Sequence, residues 1–480
     1  MNDRKGFGSN FGFLMAAVGP AVGLGNIWGF PNKMGANGGF PFLILYLALA
    51  LCCGVIIMLG ELALGRKTGH GAVGAYQSIS KRFKWLGWLG IAAAALIFSF
   101  YSALGGYCLR YVVVNFGNLI GAEFGTNGVG GADVFQGLLS QPDVSIAFAL
   151  AFMLITMLVV MSGVGGGIER VCSVGMPALF FILIICIIRS CTLPGAADGL
   201  KYMFVPGWAV ANGIIDEAPG FWKVLTAAGG QMFFSLSLGA GVMITYGSYL
   251  DKKQDLGKSA MIIVGMDTVV ALMAGLCVIP GRFALDPNGA LGGPELLFIT
   301  MQNVFDKMGP AGPVFGILFY LLVFFAAISS SISMLEVIVA HFCDKAREKG
   351  KGDRRKLYSA IAVVICAALC ALVCADGMGS NHISPAELLG LAGAKLPGWS
   401  TSWLGLFDSV AEGLLMPLGA LLMCLMISWE LKPDALRQEI LLNGENRPWV
   451  YDFFRLCVKY ITPLCMLMIL YGQISDFFIV

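Results

Sequence analysis

Charge is what this 480-residue chain has least of: Asp, Glu, Lys and Arg make up 12% of it, against 58% apolar residues and a mean hydropathy of +0.80. That composition excludes a soluble globular domain and a disordered chain alike. A formal charge of +2 leaves no basic footprint for nucleic acid. Histidine is nearly absent. His70, His341 and His382 are scattered and no His-Glu-x-x-His run occurs, so a metal-dependent intramembrane enzyme lacks its ligands. There is no Asn-x-Ser/Thr sequon, which fits a prokaryotic plasma (inner) membrane. Nor is there a cleavable signal pattern, since Arg4 and Lys5 lead straight into an apolar segment. The 14 cysteines do not read as a disulfide framework: Cys52, Cys53, Cys366, Cys370 and Cys374 lie inside apolar runs, where cysteine packs as a small hydrophobe.

What is present is apolar sequence in membrane-spanning lengths. Runs near 9–31, 40–64, 86–114, 145–162, 171–189, 224–249, 260–280, 314–341, 357–375, 403–429 and 451–476 predict eleven helices. The fold class is an all-α membrane protein with the lipid bilayer as its solvent. Basic residues are unevenly shared between the loops. Arg4, Lys5, Arg66, Lys67, Lys81, Arg82, Lys84, Arg170, Lys252, Lys253, Lys258, Lys432, Arg437, Arg447 and the seven Lys and Arg of 345–356 fall on one side. The opposite loops 120–142 and 376–402 hold only Lys395. Positive residues stay inside, so the N-terminus is expected in the cytoplasm and an odd helix count sends the C-terminus outside. The amphipathic segment 292–308, preceded by Pro280 and Pro287, reads as an outer re-entrant or cap helix.

Glycine, at 64 of 480 residues, is about twice as common as usual. Two glycine-punctured stretches interrupt apolar helices at matching places in the two halves: Gly19-Pro20-Ala21-Val22-Gly23-Leu24-Gly25-Asn26 and Ser235-Leu236-Ser237-Leu238-Gly239-Ala240-Gly241. In hydrocarbon a broken helix leaves N–H and C=O groups unpaired, at several kcal/mol each. Such a break survives where something binds. Two breaks at corresponding points are the sequence sign of a secondary transporter with an inverted repeat.

The residues around the breaks carry a resemblance. Residues 19–31 (GPAVGLGNIWGFP), Asn37-Gly38-Gly39, 231–241 (QMFFSLSLGAG), 325–331 (FAAISSS) and the pair Phe100-Tyr101 resemble the neurotransmitter:sodium symporters, over nearly the whole chain. The resemblance implies sodium-driven amino-acid uptake, with Na+ (two ions) as the coupling ion. It also implies an inverted five-helix repeat: 1–189 as the first repeat, 190–223 an extracellular connection, 224–432 the second repeat, and 433–480 a cytoplasmic loop and an eleventh helix.

By family position, the N–H groups of Leu24 and Gly25 face the substrate carboxylate at a positive half-helix end, joined by the hydroxyl of Tyr101. One sodium is expected at Ala21 C=O, the Asn26 amide oxygen, Ser235 and Asp267, completed by the substrate carboxylate. The other is expected at Gly19 C=O, Val22 C=O, Ala326 C=O and the hydroxyls of Ser329 and Ser330. Oxygen ligands of this kind suit a hard cation. Taken alone, Ser329-Ser330-Ser331 also reads as small residues at a helix interface. The side-chain pocket is expected from Ile97, Phe234, Ser237, Ala240, Ser330 and Met334. Ala240 stands where a leucine-transporting relative has phenylalanine, so a hydrophobic or aromatic amino acid is expected, with a small one such as glycine or alanine as the alternative.

The gates carry over as well. Arg4 matches the cytoplasmic gate arginine and Asp344 its partner, with Phe7 at a position usually held by tryptophan and Tyr249 in the same network. Gly167 and Pro177 fit a Gly-x9-Pro spacing that lets the inner half of helix 5 unwind, and the proline reads equally as a packing kink. One departure matters. Gly29 replaces the arginine that pairs across the outer gate with the acid matching Asp408, and Lys33 is the candidate substitute. Functions of a different class, a channel or a substrate-sensing receptor of transporter fold, stay open at this point, and no feature reports an oligomeric state.

Overall fold

A computed structural model describes residues 7, 9–126, 128–288, 290, 293–352, 354–390, 398–431, 433–441 and 448–478. Among the described residues, nine helices are long and apolar enough to cross a membrane: α2 (Phe40–Thr68), α3 (Lys81–Ile120), α4 (Pro142–Met161), α5 (Val164–Cys191), α7 (Leu256–Leu285), α8 (Gly309–Glu348), α9 (Arg355–Gly379), α10 (Trp403–Leu431) and α11 (Trp449–Ser475). A tenth, α1, is the bent pair Phe11–Ala21 and Gly25–Ala36, with 43° between its halves. A second interrupted helix, α6, is Phe221–Leu236 followed by Val242–Gly247, two pieces that by length and apolarity are not counted among these spans. The described residues contain no strand.

The helices overrun the apolar stretches that announce them. α3 and α8 are 40 residues each, about 60 Å at 1.5 Å per residue, twice the hydrocarbon thickness. Their charged ends continue the helix into water, where hydropathy no longer marks it. The connection foreseen at 190–223 accordingly starts after Cys191 and ends before Phe221, and it contains short helices at Ala196–Phe204 and Trp208–Ala211. The outer segment foreseen at 292–308 is helical over Leu296–Thr300 and Met301–Asp306. Its Phe298 is buried among Tyr107, Tyr111, Phe135 and Tyr320.

Both foreseen breaks are present. In α1 the first half ends at Ala21 and Val22 leaves helical geometry (φ −87°, ψ 78°). In α6 the residues between the halves are left-handed at Ser237 (φ 53°), Gly239 (φ 79°) and Gly241 (φ 74°). Gly239 is required twice over: a methyl there would also lie 2.1 Å from the Met416 carbonyl oxygen. The first half of α1 packs on α5, α7 and α8, and the first half of α6 packs on α2 and α11, so both breaks are held at the centre of the bundle. α1–α5 and α6–α10 each open with a broken helix.

Candidate functional site

The α1 break is surrounded by oxygen. The Ser329 hydroxyl on α8 lies 2.9 Å from Gly19 O, 3.4 Å from Val22 O and 2.9 Å from Ala326 O. A hydroxyl has one proton to give, so three carbonyl dipoles aimed at it exceed what hydrogen bonding can use. Ser330 Oγ adds a further oxygen, 3.4 Å from Gly19 O and 3.2 Å from Pro20 O. This donor set, hydroxyl and carbonyl only, fits a hard monovalent cation. It does not fit zinc, and among the described residues no cluster of His, Cys, Asp or Glu has metal-holding geometry.

A second group lies on the other side of the break. Asp267, on α7 and fully buried, accepts from Asn26 Nδ2 (2.7 Å to Oδ1), Ser235 Oγ (2.7 Å to Oδ1) and Tyr46 OH (2.9 Å to Oδ2). Asn26 Nδ2 also reaches Asp267 O at 2.9 Å, while Asn26 Oδ1 accepts from Gly23 N at 3.1 Å. The structure thus brings Asn26, Ser235 and Asp267 together as the sequence implies. Tyr46 was not foreseen, and neither was the bond in which Gln231 Nε2 donates to Gly25 O at 2.6 Å.

Between the two groups, Tyr101 OH accepts from Leu24 N at 2.6 Å, which leaves the phenolic proton available to a further acceptor. Gly23 permits this approach, since a methyl there would sit 2.6 Å from Tyr101 OH and 2.1 Å from Ser330 Oγ. The Phe234 ring lies 6.3 Å from that of Tyr101. Ile97, Phe234, Ser237, Ala240, Ser330 and Met334 are all buried. Ser237 Oγ donates to Pro20 O at 3.1 Å, tying one break to the other. The Ala240 backbone rests against Gly90 of α3, two turns inward of Ile97.

Sequence reasoning missed Glu61. This buried carboxylate of α2 accepts from Gly239 N at 2.6 Å, satisfying a backbone donor that the α6 break releases. An acid inside an apolar span was the available signal.

At the inner end Arg4 lies outside the described residues. Phe7 packs edge-on to Phe13, Tyr246 and Tyr249, and Asp344 Oδ2 accepts from Gly71 N at 3.1 Å. Tyr249 OH donates at 2.6 Å to Glu336, a wholly buried acid paired bidentately with Arg355 (2.5 and 3.0 Å). Neither partner was foreseen. Removing one member of a buried pair strands the other, at about 3–5 kcal/mol. Arg355→Ala is therefore expected to destabilise the protein by about that much, and Glu336→Met with Arg355→Met to recover most of the loss, as read by thermal unfolding in detergent. A cavity of about 580 Å³ opens nearby, lined by Phe7, Ser9, Leu14 and Tyr249 among others. In α5, Gly167 lies against helix α4, where a methyl would be 2.1 Å from Val159 O.

The outer end corrects one expectation. Lys33, the candidate substitute for the missing arginine, is ion-paired with Glu412 rather than with Asp408 one turn before it. The wider π-helical turn at Ser409–Leu415 alters the direction in which Glu412 leaves the helix.

Comparison with known proteins shows the family. The model of the sodium:neurotransmitter symporter family matches residues 4–127 and 132–478. An uncharacterized sodium-dependent transporter of Bacillus subtilis is 36% identical over 97% of each chain. One from Methanocaldococcus jannaschii is 30% identical over 91% of this chain and 84% of its own. The crystal structure of MhsT in complex with L-phenylalanine superposes with a TM-score of 0.83 at 33% identity, covering 98% of this chain and all of that one. The fold and the sodium-dependent relatives are those of secondary transporters, not enzymes, and this chain belongs to the sodium:neurotransmitter symporter family.

Proposed function

We propose that this sodium-dependent transporter is a symporter that imports a hydrophobic or aromatic L-amino acid with two sodium ions by alternating access. The observation that carries the reading is the excess of carbonyl oxygen around the single Ser329 proton beside the α1 break. Gly19, Val22, Ala326, Ser329 and Ser330 hold one ion. Ala21, Asn26, Ser235 and Asp267 hold the other, with the substrate carboxylate closing its shell. That carboxylate docks on the N–H groups of Leu24 and Gly25 and on the free proton of Tyr101. The N-terminus faces the cytoplasm and the C-terminus the outside. Phe7, Tyr249 and Asp344, with Arg4, close the inner path.

The substrate class rests on apolar walls and on the small residue at position 240. Each methylene transferred to such walls adds about 0.8 kcal/mol. MhsT, the structural relative, holds phenylalanine. A competition screen with the twenty amino acids is expected to rank tryptophan, phenylalanine, tyrosine and leucine above glycine and alanine. Ala240→Phe fills the added volume and is expected to move the preference toward smaller side chains. An unchanged ranking in that variant would remove Ala240 from the pocket, and a wild-type preference for glycine or alanine would select the small-substrate reading.

A further inference from the structure

We infer that the outer path is closed by a cluster that includes helix α11, a segment outside both five-helix repeats: Lys33 of α1, Glu412 of α10 and Gln473 of α11, meeting over Gly230 of α6. A methyl on Gly230 would lie 2.6 Å from Gln473 Nε2, 2.8 Å from Glu412 Oε1 and 3.6 Å from Lys33 Nζ. Polar groups from three helices thus converge on one glycine that leaves room for all of them. Gln473 Nε2 also donates to Thr226 O at 3.2 Å, so α11 grips the first half of α6 directly. The cluster is partly closed to solvent, with the Lys33 side chain 23% and the Glu412 side chain 9% exposed.

Gly29 leaves the space that the Gln231 amide occupies. A methyl at position 29 would lie 2.9 Å from Gln231 Oε1, a buried oxygen with no hydrogen-bond partner. A side chain at 29 requires the end of Gln231 to shift, and the other end of that amide donates at 2.6 Å to Gly25 O beside the α1 break. Long side chains on a helix lean toward its N-terminus and cover the preceding turn. Lys33, four residues on, brings its ammonium to Glu412 of α10. The glycine and the lysine are one arrangement. Because α11 joins it, closing the outer mouth draws the last helix onto the moving halves of α1 and α6.

The inference rests on the transport reading, and two measurements keep them apart. The first is the rate at which purified protein in sodium loses a bound radiolabelled amino acid, using the one that wins the competition screen. The second is hydrogen exchange in residues 29–36, measured in sodium without any amino acid. Lys33→Ala and Glu412→Gln are each expected to speed dissociation about tenfold, the double variant no more than either alone, and Lys33→Glu with Glu412→Lys to return within about threefold of wild type. Gln473→Leu is expected to speed it about threefold, and exchange at 29–36 should rise in the same order. Additive single effects, or a charge swap that restores nothing, would overturn the ion pair as the closure. A Gln473→Leu protein with both rates unchanged would remove α11. Absence of sodium-dependent binding in the wild type would count against the transport reading alone, and the exchange order would still decide the cluster.

Discussion

Proteoliposomes given a tenfold inward sodium gradient and about 100 mV, inside negative, will concentrate the amino acid on the order of 10⁵-fold. Two sodium ions entering with a zwitterion carry two charges, worth roughly 4.6 kcal/mol at 100 mV. The gradient adds about 1.4 kcal/mol per ion, about 7.4 kcal/mol in all. One ion would halve that free energy and limit accumulation to roughly 500-fold. The accumulation ratio therefore counts the ions, and the proposed function, with one ion at each oxygen-lined group beside the α1 break, expects two. Removing the Ser329 hydroxyl in Ser329→Ala should bring the ratio toward the one-ion limit if transport persists at all. Accumulation that is the same in choline as in sodium would end the account.

Asp267→Asn is the second large effect. Asp267 is wholly buried, and its carboxylate takes hydrogen bonds from Asn26, Ser235 and Tyr46. In the proposed site this carboxylate supplies the negative charge beside the first sodium that a bound anion would otherwise supply, so uptake by the native protein should be the same in gluconate as in chloride. The variant loses the charge while keeping the shape, and losing a charged partner is worth about 1.5–3 kcal/mol. Half-saturation by sodium should rise tenfold or more, or uptake should become dependent on chloride. An Asp267→Asn protein with native sodium affinity and no halide effect would take Asp267 out of the site.

Much of this site is legible in the residues because its parts are backbone features. Gly23 and Gly25 in α1 and Gly239 and Gly241 in α6 punctuate helices that hydropathy would otherwise run through, and a spanning helix cannot be broken without a partner for its free groups. The meeting of Asn26, Ser235 and Asp267 was implied by the family resemblance, since polarity within an apolar span marks each residue but not its partners. Glu61 and Glu336 were equally visible as charges. Their roles were not, because their partners come from distant stretches: Gly239 N is 178 positions from Glu61, and Arg355 stands at the start of another helix. The choice of Glu412 over Asp408 was out of reach for a different reason. It depends on a π-helical turn at Ser409–Leu415, and a local change of helical pitch leaves no periodic mark in so short a segment. The overrun of α3 and α8 into water was hidden because hydropathy stops reporting where hydrocarbon ends.

Coupling between sodium and the amino acid at the α1 break is tested most directly by a dual-label flux measurement. Radioactive sodium and the preferred amino acid are followed together into sodium-free proteoliposomes at zero potential. Two sodium ions should enter with each amino acid, and neither flux should proceed without the other. Sodium entering at the same rate with and without the amino acid, or amino acid entering from choline medium, would contradict it.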